Sequence, residues 1–366
     1  MSLTQVPSGM LQTTAQYYSM KNRIINGAMV IDQRNNGGIV TATSNPFSLD
    51  RWQLLSSQNA KFTAQQNAGS VTPPVGFSNY LGMTVSSPVS VGSGDYFNVL
   101  QKIEGFNFAD LGFGTANAKT ITISFWAYSS LTGSFGGAIQ NSAQTRSYPF
   151  SYTISSANTW TQISVTIAGD TTGTWVGATN GVGAWLIFNL GAGSTYSGTA
   201  NTWASANYTN PTGAVSVIAT NGATFYLTGV QLEVGTQATS FDYRPYGTEL
   251  ALCQRYFEMS YDIGTAIGTA SFNGTYGGTG ITGSNTASEI DTGIVFKVTK
   301  RGTPTITYYD TSGNINKCTR TQLAVANSAN QSVGNNYLNT NSIIVISASG
   351  STAGCILVHF TASAEL

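Results

Sequence analysis

Hydrophobic and polar residues alternate along much of the chain, in short stretches separated by small polar residues. In TITISFWAY, residues 120–128, Ile121, Ile123 and Phe125 alternate with Thr122 and Ser124. A period of two residues is that of a β-strand with one face in a hydrophobic core. Clusters of Gly, Asn and Ser, which favour turns, bound each stretch. Strands are likewise predicted in WTQISVTIAGD, AWLIFNLG, VSVIAT and FYLTGVQLEV.

The part of the chain before Pro245 is predicted to form one β-sandwich. Further strands are predicted in RIINGAMVIDQR, YLGMTVSS and NVLQKIEG, and a short helix or turn in GFNFADLGF. No helical repeats separate these strands, so a parallel sheet with crossover helices is not indicated. Two antiparallel sheets packed face to face, as in a jelly roll, accommodate all of them.

A second, smaller β-sandwich is predicted after Pro245. TELALCQRYFEMS places Leu250, Cys253 and Phe257 at helical spacing, with Thr248 as the N-cap of a short connecting helix. Strands resume in GIVFKV, TITYYD, SIIVISAS and CILVHFTASAEL, and the polar stretches GTASFNGTYGGTGITGSN and VANSANQSVGNN are predicted as long loops. The predicted fold is therefore all-β, with tandem antiparallel sandwiches at residues 23–247 and 248–366. Residues 1–22 contain too few apolar side chains to fold alone.

Charged residues are scarce, which limits the classes of partner. Asp, Glu, Lys and Arg make up 8% of the chain, whereas about 25% is usual for soluble proteins. Fifteen basic and fifteen acidic residues cancel, so no broad positive field is available to bind nucleic acid or an anionic membrane. No run of about 20 apolar residues predicts membrane insertion, and the N-terminal residues lack the pattern of a secretory signal. A neutral surface is poorly protected against association, which favours an oligomer.

Neither a cofactor nor a metal ion is predicted. Cys253, Cys318 and Cys355 are odd in number and form no C-x-x-C motif, so buried free thiols are expected. His359 is the only histidine, and one imidazole cannot make a three-ligand zinc site. We expect a packed or interfacial histidine. The G-x-G-x-x-G match in GTGITG, residues 278–283, lies outside any βαβ pattern and is predicted to be a loop.

Catalysis by paired carboxylates is the enzymatic alternative that the residues leave open. A glycosidase needs two carboxyl groups roughly 5 to 10 Å apart, and Asp95 with Glu104, or Asp170 with Glu233, remain possible pairs. Most other carboxylates stand beside arginines or begin turns. The prediction is therefore that the chain has no catalytic residues and is not an enzyme.

Aromatic residues in polar loops are candidates for carbohydrate binding. Such sites stack a ring on the C–H face of a sugar, while amide and hydroxyl side chains bind the sugar hydroxyls. The loops TGTWVGATNG and STYSGTANTWASANYTN have this composition, and packing of their tryptophans into the core is the alternative. The candidate residues are Trp175, Tyr196, Trp203 and Tyr208.

Two clusters of sequence resemble a pattern of bacteriophage tail fibre and appendage proteins. The first is KNRIINGAMVIDQRN followed by FSLDRWQL, and the second is FYLTGVQLEVGTQATSFDYRPYGTELALCQRYFE. Together they span residues 21–257. In that family, the domain is a jelly roll similar to carbohydrate-binding modules. The C-terminal region is more weakly similar to the trimeric tips of such proteins.

The resemblance implies a virion structural protein that is commonly a homotrimer. On this basis residues 1–22 are expected to attach the chain to other phage tail or capsid proteins, residues 23–247 to form the jelly roll, and residues 248–366 to form a trimeric tip. Host-surface polysaccharide is the expected ligand. Two alternatives remain open: a capsid decoration or cement protein with a purely structural role, and a polysaccharide depolymerase.

The charged residues of the two clusters are predicted to form a structural clasp. The first and last segments of a jelly roll are natural neighbours, so Arg34 or Arg51 is expected to pair with Glu233 or Asp242. Glu249 and Arg255 in the connector are expected to act similarly between domains. The predicted clasp comprises Arg34, Arg51, Glu233, Asp242 and Arg244.

Overall fold

The computed structural model describes residues 20–280, 289–322, 325–348 and 354–366. Within them, two β-sandwiches follow one another along the chain and a single α-helix lies between them. This confirms the predicted all-β fold of tandem antiparallel sandwiches. The homotrimer stays a prediction, and so does the attachment role of residues 1–22, of which 1–19 lie outside the described residues.

The first sandwich contains fourteen strands and five short 3₁₀ segments. The 3₁₀ segments are Ala68–Ser70, Gly105–Asn107, Ala109–Leu111, Ser194–Tyr196 and Val217–Ala219. The strands are β1 (Val40–Thr41), β2 (Phe47–Leu49), β3 (Trp52–Ser56), β4 (Phe62–Gln66), β5 (Leu81–Val85), β6 (Tyr96–Glu104), β7 (Ile121–Ser129), β8 (Gly133–Asn141), β9 (Ser147–Ile154), β10 (Thr161–Ile167), β11 (Val182–Ala192), β12 (Ser197–Gly198), β13 (Asn210–Pro211) and β14 (Thr224–Val234).

Two six-stranded antiparallel sheets enclose the first core. Their strand orders are β1-β4-β5-β14-β7-β10 and β2-β3-β6-β11-β8-β9. The alternating residues of β7 face inward as predicted, and Phe125 packs edge to face on Phe188 of the opposite sheet, with ring centroids 4.9 Å apart. Trp52 is fully buried beside Phe188 and donates its indole N–H to the carbonyl of Asn26.

The second sandwich has nine described strands, and the longest of them is its centre. This strand, β23 (Gly354–Ser363), pairs with four others, and its apolar residues Ile356, Val358 and Phe360 are buried. A second sheet has the order β17-β22-β21. The remaining strands are β15 (Phe257–Met259), β16 (Tyr276–Gly280), β17 (Glu289–Val295), β18 (Thr305–Tyr309), β19 (Lys317–Gln322), β20 (Val325–Ser332), β21 (Gly334–Asn336) and β22 (Ser342–Ala348).

The connecting helix, α1 (Tyr246–Gln254), begins three residues earlier than the N-cap prediction requires. Pro245 occupies the N-cap position, and Thr248 lies inside the first turn, so its role as the cap was wrong. The fixed φ of proline suits the residue that precedes the first turn. The buried face of the helix carries Cys253, which packs with Ile25 and Ile31 of the first sandwich.

Several local predictions differ from the observed elements. RIINGAMVIDQR is not a strand: Asn26 and Met29 have positive φ, and the Asn26 side chain bonds the backbone of Ile31 in place of a neighbouring strand. VSVIAT forms a 3₁₀ turn at Val217–Ala219. In both segments, hydrogen bonds to nearby residues take the place of hydrogen bonds to a neighbouring strand. The pattern of hydrophobic residues does not reveal such local hydrogen bonds, so it predicted strands.

The glycine- and asparagine-rich stretches of the second sandwich were predicted as loops, and parts of them are strands. Strand β16 includes Gly278–Gly280, the beginning of the GTGITG match, whose residues 281–283 lie outside the described residues. The stretch VANSANQSVGNN forms β20 and β21. The side chains of these stretches do not favour strands. Backbone hydrogen bonds to β23, β19 and β22 hold the stretches in the extended conformation.

The clasp forms, but with different partners from those predicted. Arg34 and Arg51 both pair with Glu365 near the end of the chain, the Arg34 contact being 2.6 Å long. The expected partners lie elsewhere: Glu233 accepts hydrogen bonds from Thr239, and Asp242 lies 3.7 Å from Arg244. The Arg34 and Arg51 side chains therefore join the first sandwich to the second. The predicted pairing within the first sandwich was wrong.

The connector residues also bridge neighbouring parts of the molecule. Arg255 binds both carboxylate oxygens of Glu104, at 2.6 and 2.9 Å, and Tyr256 donates to the same carboxylate. Glu249 accepts hydrogen bonds from the backbone N–H of Asn26 and from Arg244. Arg255, the residue after α1, is thus bound to Glu104, the last residue of β6, across the boundary of the first sandwich.

Candidate functional site

Loops at one end of the first sandwich bring two predicted tryptophans together. The indole rings of Trp175 and Trp203 have centroids 5.7 Å apart and stand at 90° to each other. Trp175 follows β10, and Trp203 lies between β12 and β13. Phe113, from the loop before β7, packs edge to face on both rings, at 4.9 and 5.8 Å. Residues 28 positions apart in the sequence thus share one aromatic cluster.

The orientation of both indole rings is fixed by hydrogen bonds. Trp175 donates its N–H to the carboxylate of Asp170 at 3.1 Å, and Trp203 donates to the carbonyl of Ala168 at 2.8 Å. Both rings are half-buried and pack against the core. Each of the two tryptophans is therefore packed against the core and also partly exposed, whereas core packing and sugar binding were predicted from the sequence as alternatives.

A charged pair that the sequence did not assign to this site lies beside the rings. Arg146 binds Asp170 through two hydrogen bonds of 2.6 and 2.9 Å, and its guanidinium carbon lies 5.8 Å from the Trp203 ring centroid. Burial opposes ionisation of Asp170, but hydrogen bonds from Arg146, Trp175 and Thr172 outweigh it and lower its pKa. The guanidinium also donates to Ser205 at 2.9 Å. The site is thus polar along one edge and neutral in net charge.

The other two predicted aromatics do not join this cluster. Tyr196 packs edge to face on Tyr96 with centroids 5.0 Å apart. The Tyr208 ring lies against Gly198 so closely that a Cβ there would overlap it. Both are half-buried residues that hold the segment around β12 and β13 against its neighbours. The candidate set of four divides into a tryptophan pair and two separate tyrosines.

A second aromatic cluster covers the outer face of the sheet that contains β14, and sequence reasoning missed it. Tyr226 stacks on Tyr128 and Tyr80, each with centroids 5.1 Å apart, and Trp160 closes the group. Trp160 donates its N–H to the carbonyl of Thr72. The faces of the tyrosines are occupied by one another. Tyrosines at the outward positions of β7 and β14 were the available signal.

A cavity of about 150 Å³ lies where the N-terminal segment meets the residues before α1. The rings of Phe77, Phe241 and Tyr243 form one wall, and Asp242 and Arg244 are among its polar groups. Its remaining lining residues are Asn22, Gly27, Ala28, Val30, Gly76, Ser78 and Glu249. The cavity shares no lining residue with the tryptophan cluster.

All four carboxylates considered for catalysis are bonded to neighbouring groups, and the members of one pair lie far apart. Asp95 and Glu104 stand at opposite ends of β6, which at about 3.3 Å per residue separates them by roughly 30 Å. Asp170 is bound by Arg146, and Glu233 accepts hydrogen bonds from Gln231 and Thr239. Each of these four carboxylates is occupied by neighbouring groups.

The histidine and two of the three cysteines are buried. His359 is buried, stacks on Tyr261 with centroids 3.9 Å apart, and hydrogen-bonds Ser260 and the carbonyl of Ser271. Cys253 and Cys318 are buried, whereas Cys355 is half-buried. Across the described ranges, no group of three His, Cys, Asp or Glu side chains is placed to hold a metal ion. No helix in the described part of the chain is long and apolar enough to cross a membrane.

Comparison with family models finds no match to this chain, and comparison with curated proteins finds none. Among solved structures, the enzymatically active domain of tailspike protein 4 of bacteriophage CBA120 overlaps 58% of this chain at 14% identity, with a TM-score of 0.33. The overlap covers 21% of that chain, so this chain spans about a fifth of its length.

Two smaller proteins overlap the same share of the chain. A protein from Bacteroides thetaiotaomicron described as a sugar-binding protein is 12% identical over 59% of this chain and 100% of its own, with a TM-score of 0.35. A family 11 carbohydrate-binding module from Clostridium thermocellum, solved with a mixed-linked tetrasaccharide, is 12% identical over 55% of this chain and 98% of its own, with a TM-score of 0.28. At these TM-scores the overlaps carry no information about what this chain binds.

Proposed function

We propose that this chain is a non-enzymatic subunit of a bacteriophage tail fibre or appendage, located on the virion, that binds host-surface polysaccharide. The tryptophan cluster of the first sandwich is the proposed contact with the glycan. Residues 1–22 would attach the subunit to the particle. The resemblance of residues 21–257 to tail fibre proteins supports the virion role, and the geometry of Trp175 and Trp203 supports the ligand class.

One observation carries the proposed ligand: two half-exposed indole rings are held at 90° with both N–H groups already bonded inside the chain. Rings fixed in this way lose little conformational entropy when a sugar stacks on them. Arg146 and Ser205 lie at the edge of the rings and can bind sugar hydroxyls. An aromatic face bordered by a few polar groups is the usual chemistry of a sugar site.

The absence of net charge at the cluster favours a neutral glycan. Arg146 and Asp170 neutralise each other through two short hydrogen bonds. A single such contact would be weak, and three copies in a homotrimer would strengthen it through multivalency. The low charge of the chain, in which 8% of all residues are charged, supports association of copies.

The test is binding of the purified chain to an array of bacterial surface polysaccharides. Trp203→Ala is expected to lower the affinity about tenfold or more, because it removes a stacking surface worth about 0.5–1.5 kcal/mol together with its buried area. Trp203→Phe keeps a ring beside Phe113 and is expected to retain part of the binding. Melting temperatures of both variants separate loss of the ligand contact from loss of the fold.

Trp160→Ala is the matched control, since Trp160 is also half-buried, clustered with aromatic residues and bonded through its N–H. This variant is expected to bind as the unaltered chain does. Equal binding by a folded Trp203→Ala variant would refute the proposed contact. Release of new reducing ends from a bound polysaccharide would refute the non-enzymatic role.

The trimer is tested separately by light scattering. The expected mass is three times the 38.4 kDa of one chain. A stable monomer would contradict the proposed assembly.

A further inference from the structure

The cavity beside α1 combines an aromatic wall with an incompletely bonded carboxylate. The rings of Phe77, Phe241 and Tyr243 contact one another, with centroids 4.8 to 5.5 Å apart. They form a continuous apolar surface on one side of the cavity. Tyr243 is 57% exposed, and its hydroxyl donates to the carbonyl of Gly76, which fixes the ring at the cavity rim.

The Asp242 carboxylate is the polar group of this cavity that can accept further hydrogen bonds. Its Oδ2 makes only long contacts, 3.4 Å to the backbone N of Asn22 and 3.7 Å to Nε of Arg244. Oδ1 has no hydrogen-bond donor in the part of the chain that the structure describes. The backbone N–H of Asp242 donates to Gln231 at 2.8 Å, so the position of the residue does not depend on its carboxylate.

The other charged groups of the cavity are already satisfied. Arg244 binds Glu249 and the carbonyls of Asn22 and Ile24, and Glu249 also accepts the backbone N–H of Asn26. This pair is neutral and positions the chain before α1. An incoming ligand therefore meets one free carboxylate oxygen and one aromatic surface.

The volume and the lining together restrict the ligand. A cavity of about 150 Å³ is comparable in size to an engineered protein cavity that binds benzene, so it has room for one small ring. A wholly apolar ring would leave the Asp242 carboxylate desolvated and unpaired, which is costly. A sugar ring offers C–H groups to the aromatic wall and hydroxyl donors to the carboxylate.

We infer that this cavity is a second carbohydrate site, which takes a single pyranose residue of a neutral glycan. Its C–H face lies on the wall of Phe77 and Tyr243, and a hydroxyl donates to Oδ1 of Asp242. The inference adds a site to the proposed function but does not depend on the tryptophan cluster, because the two sites share no residue. Two sites on one subunit would increase avidity for a repeating polysaccharide.

The test is saturation-transfer NMR of the full chain with D-glucose, D-galactose, D-mannose, N-acetyl-D-glucosamine and L-rhamnose, and with phenol as a ring that is not a sugar. At least one sugar is expected to receive saturation. Asp242→Ala is expected to weaken that binding about tenfold, because a hydrogen bond to a charged group is lost. Ala28→Leu is expected to abolish it by filling the cavity, and Trp160→Ala, which alters neither proposed site, to leave it unchanged.

Each other outcome overturns the second site. These outcomes are no transfer to any sugar, transfer to phenol alone, and transfer that a folded Asp242→Ala variant does not weaken. Melting temperatures check that the variants fold, and Asp242→Asn, which keeps the shape of the side chain, replaces Asp242→Ala if the latter unfolds. Failure here with intact polysaccharide binding would leave the proposed function standing. Loss of polysaccharide binding in Trp203→Ala alone would identify the tryptophan cluster as the site in use.

Discussion

At the scale of single residues, Asp50 has a fully buried carboxylate close to the junction of the two sandwiches. It accepts hydrogen bonds from the backbone N–H and the side-chain amide of Gln33, at 2.7 and 2.8 Å. Burial raises its pKa from 3.8 to about 6, although Arg34 and the Gln33 hydrogen bonds act in the opposite direction. The next residue, Arg51, has a φ of +73°, a strained conformation for a side chain of its size. Because burial disfavours the ionised form of Asp50, the Asp50 charge reduces the free energy of unfolding at neutral pH.

The consequence is a specific pH dependence. Because the pKa of Asp50 is higher in the folded state than in the unfolded state, the folded chain binds more protons between about pH 4 and pH 6. Its contribution to stability is greatest below about pH 4 and is lost as the pH rises through 6. Asp50→Asn removes this titration, so the melting temperature of the variant relative to the unaltered chain is expected to rise between pH 4.5 and 7.

Circular dichroism melting curves of both proteins over this pH range provide the measurement. Asp170, Asp95 and Asp310 have lowered pKa values and destabilise the fold as the pH falls, but they contribute equally to both proteins. A difference in melting temperature that does not change with pH would contradict the assignment to Asp50.

At the scale of the element, strand β14 shows how one glycine permits the aromatic wall of the cavity. Its pairing with β7 is interrupted between Thr228 and Gln231, and Gly229 at this bulge has a φ of +62°. A Cβ at Gly229 would lie 2.6 Å from the Phe77 ring, which packs directly on the bulge. Phe77 is part of the cavity wall. The bulge thus positions an aromatic ring that a regular strand would exclude.

Gly229→Ala is expected to destabilise the first sandwich by backbone strain and by overlap with Phe77. Gly222→Ala is the matched control, because Gly222 has a φ of +71° and open space around it. Chemical denaturation should show that Gly229→Ala lowers the free energy of unfolding by about 1–3 kcal/mol more than the control does, the cost of overpacking. An equal decrease in the free energy of unfolding of both variants would mean that the Phe77 side chain moves aside without a measurable energetic penalty.

At the scale of the whole molecule, the C-terminal residues hold the two sandwiches together. The Glu365 carboxylate binds Arg34 and Arg51, and its backbone carbonyl accepts a hydrogen bond from Arg301 at 2.8 Å. Lys102 donates to the carbonyl of Leu366 at 2.7 Å. Three of these four cations belong to the first sandwich, so five of the scarce charged side chains, Glu365 included, are concentrated on one contact between domains.

Glu365→Ala leaves two buried guanidinium groups without their counter-ion. The expected loss in the free energy of unfolding is about 3–5 kcal/mol, the usual result of breaking a buried ion pair. Asp110→Ala is the control: Asp110 pairs with Arg23 but is 47% exposed, so its expected effect is about 0–1 kcal/mol. Urea denaturation measures both, and similar small losses would show that the clasp contributes little to stability.

The site could be predicted only in part. The composition of the loops identified Trp175 and Trp203, because an aromatic residue among Gly, Thr and Asn has few packing partners along its own strand. Arg146 and the Phe77 wall were missed, since their proximity to the candidate residues arises from loops and strands far apart in the sequence. For the same reason the sequence did not show that Tyr196 and Tyr208 lie apart from the tryptophan pair.

The sequence by itself determined the all-β class and the positions of the strongly alternating strands, because alternation and turn residues act over a few neighbouring residues. The domain boundary near Pro245 stays a prediction. Only the tertiary structure decided that Arg34 and Arg51 meet Glu365, which lies 331 and 314 residues further along the chain. It also decided that polar stretches such as VANSANQSVGNN become strands. Both outcomes depend on which backbone and which charge lie opposite, and sheet pairing over long separations sets that.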